Sequence, residues 1–176
     1  MRKKQIRLVR IGVKSLLLMG LMLNPGEVMA NTGNNYKSMT KKFEGFRSRP
    51  YKDADTTSVG YGFNIASGGI PEDVASGRRE MTMPEADNLF ERKYSEAEIR
   101  ARQFAGPSYD KLNDNQKAVL NDMSYNLGNR LFKFKKMKSD IDAGAYKDVP
   151  AEMKNSLWAK QVGSRSDELQ NLWNRG

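Results

Sequence analysis

Residues 43–64 read Phe-Glu-Gly-Phe-Arg-Ser-Arg-Pro-Tyr-Lys-Asp-Ala-Asp-Thr-Thr-Ser-Val-Gly-Tyr-Gly-Phe-Asn and hold three groups that could do chemistry together. Glu44 stands at the end of a short amphipathic segment. Asp53 follows in a polar turn, and Ser58 leads into Val59-Gly60-Tyr61-Gly62. A protonated carboxyl, an ionised carboxylate and a hydroxyl suit hydrolysis of a glycosidic bond. One carboxyl donates to the leaving oxygen; the other works on the far face of the sugar, orienting water or attacking directly. Glu44 fits the acid if partial burial at a helix end raises its pKa, while Asp53 in a hydrated turn stays ionised. A carboxylate pair at this spacing is common by chance, so its weight comes from the surrounding residues.

Composition narrows the alternatives. The 176-residue chain has no cysteine and no histidine. A disulfide scaffold, a thiol nucleophile and a Ser-His-Asp site are therefore excluded. Most catalytic zinc sites need imidazole, which argues against a metal site. Asp, Glu, Lys and Tyr remain as acid–base groups. The net charge is +9. Six basic residues (Arg2, Lys3, Lys4, Arg7, Arg10, Lys14) and one acid, Glu27, fall in residues 1–30, so the rest of the chain is only modestly basic. That charge suits attraction to an anionic polymer without selecting one.

The elements that must position the three groups follow from patterning. Residues 1–30 read as a secretory signal: a basic start, an apolar core from Leu16 to Leu23, a break at Asn24-Pro25-Gly26, and Val28-Met29-Ala30 before the expected cleavage. The apolar run is far short of the ~20 residues a spanning helix needs. Export is therefore expected, to the periplasm or the exterior, with a single mature domain over residues 31–176 and an uncleaved anchor as the alternative. Residues 31–35 are expected to be loose. Tyr36, Met39, Phe43 and Phe46 fall at helical spacing, and Gly45 lies where that helix should end. After Pro50, residues 51–64 read as a β-hairpin with Val59, Tyr61 and Phe63 on a strand. Residues 66–77, with Gly68, Gly69 and Pro71, are expected to be irregular.

The remainder reads as helical. Thr82-Met83-Pro84-Glu85 is a capping-box pattern predicting a helix to about residue 104, with a charged face toward solvent. Asn113 and Gln116 cap a second helix whose Val119, Leu120, Met123 and Leu127 make the clearest buried stripe in the chain, closed by Gly128. The basic, aromatic residues 131–139 predict a helix with lysines outward. Residues 141–146 predict a short helix. Pro150 starts another through Trp158, Gly163 breaks it, and residues 167–173 form the last.

Glu44-Gly45-Phe46-Arg47, then Tyr51-Lys52-Asp53, then Ser58-Val59-Gly60-Tyr61-Gly62 resembles the active-site segment of the phage-type lysozymes, the endolysin family. Its pattern is Glu-Gly-x-Arg, then Tyr-x-Asp, then Thr-Ile-Gly-Tyr-Gly-His. The resemblance implies Glu44 as general acid and Asp53 as the carboxylate that positions water or supports a cationic transition state. Ser58 stands where the family has a water-holding Thr. The resemblance extends over most of residues 36–173. It places Asn126, in Tyr125-Asn126-Leu127-Gly128, toward the sugar, and Arg165, seven residues after Trp158, beside Glu44. Tyr61 joins them as a supporting residue. An arginine there lowers the acid's pKa while burial raises it. Two departures stand out. Phe63 replaces the family's His, which implies altered packing. The turn before Ser58 is one residue shorter than in the T-even phage enzyme, which leaves Thr57 as a rival hydroxyl and Asp55 as a weaker rival to Asp53.

The resemblance implies a mostly helical α+β fold, with a small β-hairpin lobe, a helical lobe and a cleft between them. It implies a muramidase that cuts the β-1,4 bond between N-acetylmuramic acid and N-acetylglucosamine with inversion, as a monomer on peptidoglycan strands, with no metal or cofactor. Nucleic acid is not expected as a partner, and membrane contact is expected only through the export signal. Two other readings remain: a lytic transglycosylase that forms 1,6-anhydro ends, and a non-catalytic wall-binding module.

Overall fold

The computed structural model describes residues 25–53 and 56–175, with side chains in residues 35–52 and 56–175. Residues 1–24, which carry most of the expected export signal, and Asp55 lie outside the described residues. The first helix, α1 (Pro25–Glu44), is longer than its periodicity predicts. Pro25 begins it instead of breaking the chain, because the first turn needs no proline N–H. Residues 31–35, expected to be loose, lie within it. The helix stops where predicted: Gly45 takes φ 67° and its N–H donates to the Lys41 carbonyl at 2.9 Å. This left-handed closure is cheap for glycine.

The chain then forms a three-stranded antiparallel sheet: β1 (Arg47–Asp53), β2 (Thr56–Gly60) and β3 (Phe63–Asn64), in that order. The expected hairpin is thus corrected. Val59 and Phe63 lie on different strands, paired with each other, and Tyr61-Gly62 is the turn between them. The β1–β2 register slips between Arg47 and Tyr51, at Pro50, which cannot donate to a ladder. Residues 66–77 are mostly irregular, apart from a 3-10 turn (Ile65–Ser67) and one short helix, α2 (Glu72–Ala75).

The helix α3 (Met83–Ala105) opens with both hydrogen bonds of the Thr82–Glu85 capping box. The helix α4 (Asp114–Leu127) opens with the equivalent Asn113–Gln116 pair. Residues 131–146 differ from expectation. A 3-10 segment (Gly128–Lys133) runs to Phe134, and α5 (Lys135–Asp142) follows, so Ile141 ends a helix and does not start one. The predicted helix from Pro150 is two: α6 (Val149–Lys154) and α7 (Leu157–Val162), separated because Ser156 caps a new start. The last helix, α8, spans Ser164–Trp173.

Two apolar clusters define two lobes. The smaller packs Val59, Tyr61 and Phe63 of the sheet region against Val74, Met81 and the first half of α3, including Phe90 and Tyr94. The larger joins the second half of α3 to α4–α8 around Leu120, Met123, Leu131, Met153 and Trp173. Tyr36, Met39 and Phe43 of α1 pack on the larger cluster, so α1 belongs to the helical lobe. Its C-terminus nevertheless reaches the junction. The end of α4 reaches it too: Tyr125 packs on the small cluster and Leu127 on the large one. The mostly helical two-lobed α+β architecture is the one the resemblance implies. Among the described residues no helix is long and apolar enough to cross a membrane.

Candidate active site

Glu44 is the last residue of α1 and is carried to the lobe junction by the packed face of Tyr36, Met39 and Phe43. Its side chain is 14% exposed. One oxygen, Oε1, accepts a hydrogen bond from Arg165 Nη1 at 2.7 Å. Asn126 bears on the same carboxyl and, like Arg165, lowers its pKa. The other oxygen lies against Gly62, in the turn between β2 and β3. Burial raises the Glu44 pKa above its ordinary value, and it outweighs the opposing pull of Arg165 and Asn126. Glu44 also occupies the carbonyl end of a helix, where the backbone dipole disfavours an anion. The competition between arginine and burial, open in the sequence, is won by burial.

Arg165, in the first turn of α8, is itself buried and bridges two acids. Its Nε donates to Asp122 Oδ1 at 2.9 Å, and the Phe43 ring lies 5.1 Å from its guanidinium carbon. Asp122 is 0% exposed, and its second oxygen accepts from Thr40 Oγ1 at 2.8 Å. Burial alone would weaken the Arg165 cation, but the two carboxylates prevail and raise its pKa. Asp122 and Thr40 are functional-site residues that sequence reading missed. One signal was present: Asp122 lies among the apolar residues of α4, where a carboxylate needs a cation. On the other side, Trp158 Nε1 donates to Asn126 Oδ1 at 2.9 Å, fixing the amide whose other end meets Glu44.

The sheet region meets Glu44 at the turn between β2 and β3. In β1–β2 pairing Tyr51 faces Ser58, Lys52 faces Thr57, and position 53 pairs with position 56. Alternation therefore puts Tyr51 and Ser58 on one face and Thr57 on the other. Ser58 is 2% exposed on the central strand. Asp53 closes β1, and its side chain lies outside the described residues. Tyr61 supports the site from beneath and does not line it. Its ring is buried beside Phe46, Phe63 and Phe90, its hydroxyl donates to Asp87 at 3.2 Å, and its carbonyl accepts from Tyr125 at 3.1 Å. Phe63 is buried edge-on to Tyr61, filling the small core where the family has a histidine.

Two depressions flank the end of α4, and Glu44 lines neither. One, of about 220 Å³, lies between Gly62, Asn64 and Ser67 of the small lobe and Lys93, Arg100 and Tyr125. The other, of about 450 Å³, is walled by Phe134 and Trp158 and rimmed by Arg130, Lys133 and Lys135. Tyr125, Asn126 and Leu127 connect them. Glu44, whose pKa burial raises, lies against Gly62, which lines the smaller depression. That arrangement suits acid-assisted cleavage inside a polymer.

Residues 41–175 match the family described as Phage lysozyme, a span that includes Glu44, Asp122, Asn126 and Arg165. The chain is also similar to "Probable T4-type lysozyme 2" of Dictyostelium discoideum, with 26% identity over 162 residues, covering 81% of this chain and 95% of the relative.

Proposed function

The chain belongs to the phage lysozyme family, which supports a lysozyme-like peptidoglycan hydrolase, and we propose that it is a muramidase cutting the β-1,4 bond between N-acetylmuramic acid and N-acetylglucosamine. One observation carries the reading: Glu44, whose pKa burial raises, is held by Arg165 at the lobe junction, against Gly62 of the small lobe. Glu44 donates its proton to the leaving glycosidic oxygen. Asp53 supplies the opposing negative charge, which supports the oxocarbenium-like transition state, orients water and takes the proton that water loses as it adds to the anomeric carbon. The Ser58 hydroxyl holds that water. Attack from the side opposite the leaving group inverts the anomeric carbon. Arg165 and Asn126 hold the acid, and Trp158 holds Asn126.

The setting follows from the same reading. Residues 1–30 direct export, and the protein meets its glycan strands in the periplasm or outside the cell, acting as a monomer. The basic rim of Arg130, Lys133 and Lys135 favours approach to an anionic wall polymer. The test is release of soluble fragments from purified peptidoglycan by residues 31–176 and by the Glu44→Gln variant. The wild type should solubilise the wall, and the variant should be inactive with an unchanged circular dichroism spectrum. A folded, active Glu44→Gln protein would remove Glu44 from the acid role.

A further inference from the structure

A general acid faces conflicting demands. It must be oriented, which favours a strong hydrogen-bonding partner, and it must keep its proton, which a neighbouring cation opposes. Arg165 is such a cation, 2.7 Å from Glu44. An arginine serving one buried carboxylate would hold it ionised. Here the same guanidinium serves two, through different nitrogens: Nη1 to Glu44 and Nε to Asp122. Its Nη2 is buried and makes no hydrogen bond, so among the described residues no third acid shares it. Asp122 has no exposure to water that could screen its charge. It is fixed at both oxygens, by Arg165 from 43 residues downstream and by Thr40 from 82 residues upstream.

We propose that Asp122 is a positioning residue for the general acid: it anchors Arg165 and takes up part of its positive charge, so that Arg165 orients Glu44 without holding it as a carboxylate. This inference rests on Glu44 being the acid. Among the described side chains, the titratable and charged groups that bear on Glu44 are Arg165 from α8 and Asp122 and Tyr125 from α4. From the sheet, Gly62 brings only backbone, and Asp53, in the role proposed for it above, would as an anion also oppose loss of the proton. Of these, Arg165 favours loss of the proton, and Asp122 and Tyr125 oppose it or leave it unchanged.

The substitution that isolates the charge is Asp122→Asn. The amide oxygen can still accept from Arg165 Nε. The new N–H can donate to Thr40 Oγ1, whose own proton then turns to the Tyr36 carbonyl, already 3.3 Å away. Glu44 is followed by carbon-13 NMR of its carboxyl across pH, which reads the acid whether or not the protein is active. The pH profile of kcat/KM on purified peptidoglycan is recorded alongside. With Asp122 neutral, the Glu44 titration and the alkaline limb of the profile should both move to lower pH by about one unit, a tenfold change in the protonated fraction. A folded variant with both in their wild-type positions, or moved upward, overturns the proposal. A merely structural role would lower the rate without moving either. If Asp122→Asn does not fold, the doubly neutral Asp122→Asn/Arg165→Gln variant removes both buried charges together, a change that buried pairs tolerate better. Glu44 should then titrate less than about one unit above its wild-type position. A rise of more than about one unit would mean that Arg165 acted on Glu44 unopposed. If NMR shows the expected shift while Glu44→Gln remains active, the charge sharing stands and the assignment of the acid falls.

Discussion

Gly62 approaches Glu44 so closely that a Cβ built on it would lie 2.9 Å from Glu44 Oε2. Its φ of 73° is also a conformation that glycine alone adopts cheaply. The turn between β2 and β3 therefore does two things with one residue: it reverses the chain and lets bare backbone close over the acid.

Gly62→Ala should remove activity more than stability. The left-handed conformation costs a non-glycine residue roughly 1–2 kcal/mol, which a domain of this size should survive. Displacement of Glu44 by even ~1 Å should cost about a hundredfold in rate. Lysis assays combined with thermal melts check this. Wild-type rates in a folded variant would show that the close approach has no catalytic consequence.

The raised pKa of Glu44 sets the sign of two pH effects. Activity requires the protonated acid, so kcat/KM should fall as pH rises through the folded-state pKa, beyond the ordinary carboxylate range. For stability, the folded protein binds this proton more tightly than the unfolded chain does. The contribution is complete below the ordinary value of 4.5 and is lost as pH rises through the folded pKa. Relative to Glu44→Gln, the wild type should therefore lose stability over that window. Urea titrations of both proteins from pH 4 upward measure the difference.

Arg165→Met should be costly for the fold as well as for activity. It leaves Asp122, with no exposed surface, facing an apolar side chain. Breaking a buried pair from one side typically costs about 3–5 kcal/mol. A loss under about 1 kcal/mol, the size of a surface pair, would mean that the network contributes little to stability. Equilibrium denaturation at neutral pH distinguishes the two.

The register of β1 and β2 separates the two candidate hydroxyls. Ser58 shares its face with Tyr51, whereas Thr57 pairs with Lys52 on the other face. Ser58→Ala should lower hydrolysis by about a hundredfold through misplacement of the attacking water. Thr57→Ala should stay within about tenfold of wild type. Initial rates on purified peptidoglycan compare them, and the reverse order would assign the water to Thr57.

Much of this architecture was legible in the chain. The Thr82–Glu85 and Asn113–Gln116 caps, the apolar stripe of α4 and the Gly45 stop are local signals, each written within one turn of helix. The meeting of Glu44 with Arg165 was legible only through the resemblance, because no local pattern joins residues 121 positions apart. The role of Asp122 was hidden for the same reason, since both its partners are distant in sequence. Other misses have local causes. Pro25 suited a helix start as well as a break, Gly60 and Gly62 shortened an apparent strand into two, and Ser156 capped a new helix where periodicity ran on.

The central claim is hydrolysis with Glu44 as the acid, and the chemistry of the new chain ends tests it most directly. Peptidoglycan digested by residues 31–176 should yield, by mass spectrometry, fragments ending in reducing N-acetylmuramic acid, absent after digestion with Glu44→Gln. Fragments ending in 1,6-anhydromuramic acid would contradict the account, because they form without the water assigned to Asp53 and Ser58.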